Sequence, residues 1–265
     1  LRLLSPQNDV TYVHHEGAPT YAEAYDQLVA LGDQAGKQVV NTLKSKDHAL
    51  RMQALKFATD HGLATEELGK QVAKKYSSCK EEGRVDILNW LGENGIASQK
   101  PLMIKAIKKG GATAAAAIEA LGRIGGDDAA DILLAQIGTE NDDVAQEALR
   151  SFNGNINEKV SAALAAAKTP EQQKALLALA SNRHVKSVAD QVLALAEDND
   201  AEVAATALKA LPNVVGTKDA ARVAERLDKA GDEQASAYLA ALQASIATQD
   251  AQTQYQTIST EIQKA

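Results

Sequence analysis

The sequence predicts an all-α fold, an α-α superhelix (solenoid) of about eight stacked antiparallel helix pairs. Three observations carry the prediction. Alanine supplies 51 of the 265 residues, against 3% aromatic residues and five prolines, a mixture that favours helix throughout and excludes an all-β fold. Apolar-small segments that end in a turn recur at close to thirty residues. A second apolar series falls between them, so each period holds two helices.

Taken in order, the first series is Leu28-Val29-Ala30-Leu31-Gly32, Ala54-Leu55-Lys56-Phe57-Ala58, Ile87-Leu88-Asn89-Trp90-Leu91-Gly92 and Ala117-Ile118-Glu119-Ala120-Leu121-Gly122. It continues with Ala148-Leu149-Arg150-Ser151-Phe152, Ala175-Leu176-Leu177-Ala178-Leu179, Ala207-Leu208-Lys209-Ala210-Leu211 and Leu239-Ala240-Ala241-Leu242. The last apolar positions, from Leu31 to Leu242, are spaced by 27, 33, 30, 31, 27, 32 and 31 residues. These segments mark the A helices. The second series, Leu43, Tyr76, Ile107, Ile137, Ala167, Leu195, Leu227 and Ile258, advances by 28 to 33 residues and marks the B helices. Each helix is expected to run for about 10–14 residues, near the usual globular length. Asp131-Ile132-Leu133-Leu134-Ala135-Gln136-Ile137 shows the one-sided stripe of a B helix.

The punctuation agrees. Thr169-Pro170-Glu171 joins a hydroxyl cap, a proline at the first helical position and a carboxylate in the first turn. Asp47, Thr65, Asp142 and Asp200 stand as further caps. Gly92, Gly95, Gly125, Gly138, Gly154 and Gly216 follow helical runs as terminators, and Pro212 is expected to end its helix early. Such pairs bury their apolar faces only by stacking, and alanine lets neighbouring helices approach closely. A helices are expected on the convex side of the arc and B helices on the concave side.

The runs Ala116-Ala117-Ile118-Glu119-Ala120-Leu121-Gly122-Arg123-Ile124-Gly125-Gly126 and Asp142-Asp143-Val144-Ala145-Gln146-Glu147-Ala148-Leu149 resemble the short bacterial HEAT-type repeat, the variety also seen in phycobilisome lyases. The resemblance covers about residues 20–265 and is best at 111–150 and 199–230. It implies an armadillo-like superhelix used for binding or scaffolding, and it names no ligand. The tetratricopeptide signature is met only superficially by Trp90-Leu91-Gly92, and the ankyrin Thr-Pro-Leu-His motif is missing. Residues 1–19 break the repeat with Pro6, Asn8, Asp9, Gly17 and Pro19, and read as an N-terminal cap or linker remnant ahead of a solenoid over 20–265.

Bulk properties exclude several function classes. No apolar run approaches the roughly 20 residues of a membrane helix. The net charge of −7 weighs against a nucleic-acid partner, which needs a basic footprint. Lys+Arg against Asp+Glu stands at 15 to 13 over residues 1–110 and at 13 to 22 over residues 111–265, a mild asymmetry. Cys79 is the sole cysteine, so no internal disulfide forms. The chain begins Leu1-Arg2-Leu3-Leu4 and reads as trimmed, which favours a periplasmic or cell-envelope protein over a cytoplasmic one.

Candidate chemistry is sparse. His14-His15-Glu16 has no further ligand at metal spacing and reads as a loop pair. Cys79 has Lys75, Lys80 and Arg84 nearby to lower its pKa, but no positioned base. Gly110-Gly111 and Gly125-Gly126 read as interhelix turns without a phosphate-loop spacing. Asp127, Asp128, Asp131, Asp142 and Asp143 suit helix starts, where the macrodipole favours negative charge. Trp90 reads as core, and Tyr12, Tyr21 and Tyr25 as cover for the first repeat.

One constellation points to binding. Lys70 and Lys74 lie four apart on one B helix, and Lys105 and Lys109 lie four apart on the next. Together they form a two-rung basic ladder on the concave face, suited to an acidic peptide or another anionic group. The expected function is a non-catalytic scaffold that binds a protein or peptide on its concave face, without catalytic residues, metal or cofactor. The partner includes the case of a neighbouring domain of the same polypeptide. The alternative is an accessory module of a larger bacterial enzyme, including carbohydrate-active ones. A more remote alternative is a lyase-like or DNA-glycosylase-like solenoid enzyme.

Overall fold

In the computed structural model, residues 33–264 other than 248 are described, and every regular element among them is helical. The expected cap over 1–19, the tyrosines Tyr12, Tyr21 and Tyr25, the His14-His15-Glu16 group and the first A segment at Leu28-Val29-Ala30-Leu31-Gly32 lie outside the described residues. The B helices are α1 (Asp33–Thr42), α3 (Glu66–Lys75), α5 (Lys100–Ile107), α7 (Asp127–Leu134), α9 (Asn157–Ala166), α11 (Ala189–Leu195), α13 (Ala220–Lys229) and α15 (Ala251–Lys264). They alternate with the A helices α2 (His48–Asp60), α4 (Glu81–Glu93), α6 (Gly111–Ile124), α8 (Asp142–Arg150), α10 (Pro170–Asn182), α12 (Ala201–Val214) and α14 (Asp232–Ile246).

The chain divides into two compact units, residues 1–129 and 130–265. Within the first, α2, α4 and α6 stack in sequence, and α5 lies against α6. Within the second, α8, α10, α12 and α14 stack likewise, with α9, α11 and α13 each against the following A helix. This explains the two residue patterns. α6 has neighbours on several sides and buries Thr113, Ala114, Ala116, Ala117, Ile118, Ala120 and Leu121. α13 buries only the stripe Ala220, Val223 and Ala224, and carries Arg222, Glu225 and Lys229 on its exposed side.

Within each unit, several polar side chains reach from one repeat to the next across about one repeat length. In the first unit, the Trp90 indole Nε1 donates to the Leu55 carbonyl at 2.9 Å across 35 residues. Lys100 Nζ meets Asp128 at 2.6 Å across 28. In the second, Lys159 meets Asp131 at 2.6 Å across 28, and Asn213 donates to Ser181 at 2.9 Å across 32. Lys174 pairs with Glu202 and Arg222 with Asp190 in the same manner.

Four expected caps are present: Asp47 accepts from the Ala49 and Leu50 N–H groups, Thr65 from Leu68, Thr169 from Gln172, and Asp200 from Glu202 and Val203. Asp142 is different. It is the first residue of α8 and accepts from the Gly138 N–H at 2.8 Å and from Gln146 at 2.7 Å. Asp131 sits inside α7 and pairs across to Lys159. Pro212 lies in the last turn of α12, which runs on to Val214, and Gly216 has φ −134, an extended conformation needing no glycine. The α5, α7 and α11 helices have only 8, 8 and 7 residues, shorter than expected. Short 3-10 turns at Ala97–Gln99 and Lys186–Val188 take up the first turns of α5 and α11. After α7, Thr139 bonds back to the Gln136 carbonyl and Gly138 turns left-handed at φ +74, so the stripe ends at Leu134 although Ile137 stays buried.

Candidate binding surfaces on the first unit

On α3, the i, i+4 spacing puts Lys70 and Lys74 on one exposed face, flanking Ala73. The neighbouring 3-10 turn and α5 supply Gln99 and Leu102. Together with Glu67 these residues line an open groove of about 420 Å³. Lys70 Nζ stands 4.0 Å from Glu67, a loose pair that leaves the lysine 53% exposed. Gly69, one position before Lys70, has no room for a side chain, because a Cβ there would meet Ile96 Cγ2 at 2.4 Å. That close approach brings α3 against the Ile96 turn.

Lys105 follows Leu102 by three positions on α5, hence on the same side of that helix, and is exposed. Lys109 is not on α5. The helix ends at Ile107, and Lys109 occupies the turn before Gly110 and Gly111, both left-handed at φ +76 and +67. The structure thus joins Lys70 and Lys74 in one groove, while Lys105 and Lys109 do not line it.

Cys79 is buried and donates to the Leu43 carbonyl at 3.3 Å. Burial pushes its thiol up from the ordinary value, outweighing Arg51 and Arg84, which pull it down. Among the described residues, no group of three or more His, Cys, Asp and Glu side chains is placed to hold a metal ion. No described helix is long and apolar enough to cross a membrane. Trp90 is core, as expected, and also hydrogen-bonds Thr59 at 3.0 Å.

Sequence reasoning missed a buried charge pair. Arg51, 3% exposed, donates from Nε to Asp86 at 2.7 Å and from Nη1 to the Ser45 carbonyl at 3.0 Å, and His48 reaches the same carboxylate at 3.2 Å. The signal was present. Arg51, Ala54, Leu55 and Ala58 form an i, i+3, i+4, i+7 stripe, and Gly83, Asp86, Ile87 and Trp90 form the matching stripe one repeat on. A charge on each of two equivalent core stripes implies a buried pair.

Residues 65–153 match the family model of HEAT repeats, which includes the 111–150 stretch that carries the resemblance and leaves 199–230 outside. No curated protein matches the chain. Among solved structures, the chain is similar to one in the complex of CpcE and CpcF of phycocyanin lyase from Nostoc sp. PCC7120. That likeness has 14% identity and a TM-score of 0.40, over 95% of this chain and 99% of that one. The lyase activity named there is that protein's own.

Proposed function

With HEAT repeats over residues 65–153 as the premise, we propose that this helical-repeat chain is a non-catalytic scaffold that binds an acidic segment of a protein partner along its B-helix face. The observation that supports the reading is the groove between α3 and α5. Two exposed lysines, Lys70 and Lys74, flank it opposite the apolar side chain of Leu102. Such a surface offers charge for steering and an apolar strip for grip, with Lys105 extending the positive potential along α5. Binding spread over several repeats needs shape and charge complementarity, and no enclosed pocket.

The test is a photo-crosslinking residue placed at Gln71, beside the groove, with the chain expressed in its source cells. The expected result is one partner joined in defined stoichiometry, with the link lost in the Lys70→Glu/Lys74→Glu variant. A link that survives this double charge reversal, or no link at all, overturns the reading.

A further inference from the structure

A second feature of the first unit lies where B helices turn into A helices. The turns before α2 and α4 enclose a recess of about 210 Å³ whose lining includes Lys44, Lys46, Arg51, Lys80, Glu82 and Gly83. Four of the lining residues, Lys44, Lys46, Arg51 and Lys80, are cationic, and one, Glu82, is acidic. The nearby Asp86 is occupied by Arg51 and His48, and Asp47 accepts from the first turn of its own helix.

Two sets of donors without hydrogen-bond acceptors border this recess, at the start of α4 and on Arg51. The α4 helix, 13 residues long, has Lys80 at its N-cap and no side-chain cap bond. The first-turn N–H groups at Glu81, Glu82 and Gly83 therefore have no intrahelical partner and no capping acceptor, at the positive end of the helix macrodipole. The second is Arg51. Its Nη2 is buried without a hydrogen bond, and the Glu82 carboxylate stands 3.7 Å away, beyond hydrogen-bonding distance, with 80% of its side chain exposed. A buried cationic N–H without an acceptor is costly, and its natural complement is an oxyanion. Gly83 completes the arrangement, since a Cβ there would press on Cys79 Cβ at 3.2 Å and Arg51 Nε at 3.4 Å. The volume is below the roughly 300–1,000 Å³ of drug-sized ligand pockets, which suits a compact anion.

We propose that this recess binds a compact phosphate-class oxyanion, with Arg51 Nη2 and the N-terminus of α4 as donors and Lys44, Lys46 and Lys80 as the surrounding charge. Glu82 occupies the mouth when the anion is absent and swings out to solvent when it enters. The site is separate from the α3–α5 groove and does not rest on the function proposed for it.

The experiment is an amide NMR titration of the whole chain with inorganic phosphate at constant ionic strength, with chloride as the control anion. Saturable shifts are expected at Glu81, Glu82 and Gly83 and at the Arg51 Nε–H. Removing Arg51 threatens the fold because Asp86 would lose its partner, so the deciding variants are exposed ones. Lys44→Ala/Lys80→Ala is expected to weaken phosphate binding about tenfold, the scale of losing one charge-assisted contact. Glu82→Gln is expected to tighten it several-fold, while Lys70→Glu and Lys56→Ala leave it unchanged. Melting without phosphate verifies that each variant is folded. Shifts that fail to saturate, that chloride reproduces, or that ignore the Lys44, Lys80 and Glu82 changes overturn the site. A phosphoserine peptide distinguishes the source: tighter binding than inorganic phosphate marks a phosphorylated side chain, and equal binding marks the free anion.

Discussion

A methyl group on Gly92 would stand 2.5 Å from the Cα of Ala120, so the α4 and α6 backbones meet there with nothing between them. Gly92 is buried within α4, not a terminator after it. The close packing of α4 on α6 therefore depends on a glycine facing an alanine. Gly92→Ala must push the helices apart or leave a strained contact, at an expected cost of about 1–3 kcal/mol by analogy with overpacked cores. Gly36 is the contrast, since a Cβ there would meet Leu68 Cδ1 at an ordinary 3.5 Å. Gly36→Ala is expected to be neutral or to stabilise by up to about 1 kcal/mol through helix propensity. Chemical denaturation of the two variants checks both signs.

That contact shows what was legible in the sequence and what was not. The repeat period, the alternation of helices and the caps at Asp47, Thr65, Thr169 and Asp200 follow from local chemistry, so the sequence displays them. Gly92 looks like Gly95 in a sequence, yet Gly95 is the left-handed one at φ +65, and only the neighbouring repeat tells them apart. The basic ladder was half legible for the same reason. Helical spacing sets Lys70 and Lys74 together, but two left-handed glycines cut α5 short before Lys109. The Arg51 recess escaped because its parts come from separate turns, joined only by stacking.

The Arg51–Asp86 pair links α2 to α4, with both side chains almost fully buried at 3% and 6% exposed. Removing one member leaves the other charge stranded, so Asp86→Ala is expected to cost about 3–5 kcal/mol. An apolar double replacement, Arg51→Met/Asp86→Leu, is expected to recover most of that loss, since well-packed isosteres of buried pairs are often neutral or better. The double-mutant cycle is read by urea unfolding; two losses that simply add would show the pair is not coupled.

Arg183 follows the last residue of α10, where its Nη1 donates to the carbonyls of Leu149 at 2.7 Å, Arg150 at 3.1 Å and Phe152 at 3.2 Å, and its Nη2 to Gly154 at 3.0 Å. It caps the C-terminal end of α8 from the next repeat, where the helix dipole favours a cation. Arg183→Met keeps the stem and removes the donors. A loss of about 1.5–3 kcal/mol is expected, the scale of hydrogen bonds made by a charged group. Amide exchange should quicken first at the end of α8.

Cys79 is expected to resist alkylation in the folded chain at neutral pH and to react promptly once unfolded. Its thiol is raised by burial, so the folded state holds its proton more tightly than the unfolded chain does. The associated stability is fully present below the ordinary thiol value of about 8.5 and is lost as pH rises through the raised folded value. Cys79→Ala should flatten this alkaline limb. A native thiol that is labelled as fast as the unfolded one would refute the burial argument.

The link between Lys100 and Asp128 gives the opposite pH dependence. The Lys100 hydrogen bond at 2.6 Å holds the Asp128 carboxyl below the usual aspartate range. A depressed carboxyl stabilises the fold above its unfolded value of about 3.9 and loses that contribution as pH falls through the folded one. Asp128 is 63% exposed, so solvent keeps the energy small and the titration itself is the better readout. Carbon-detected NMR of the side-chain carboxyls should show Asp128 titrating below the ordinary aspartate value, and Lys100→Met should raise it toward that value. An Asp128 midpoint that ignores the loss of Lys100 would mean that the ammonium does not hold the carboxylate in solution.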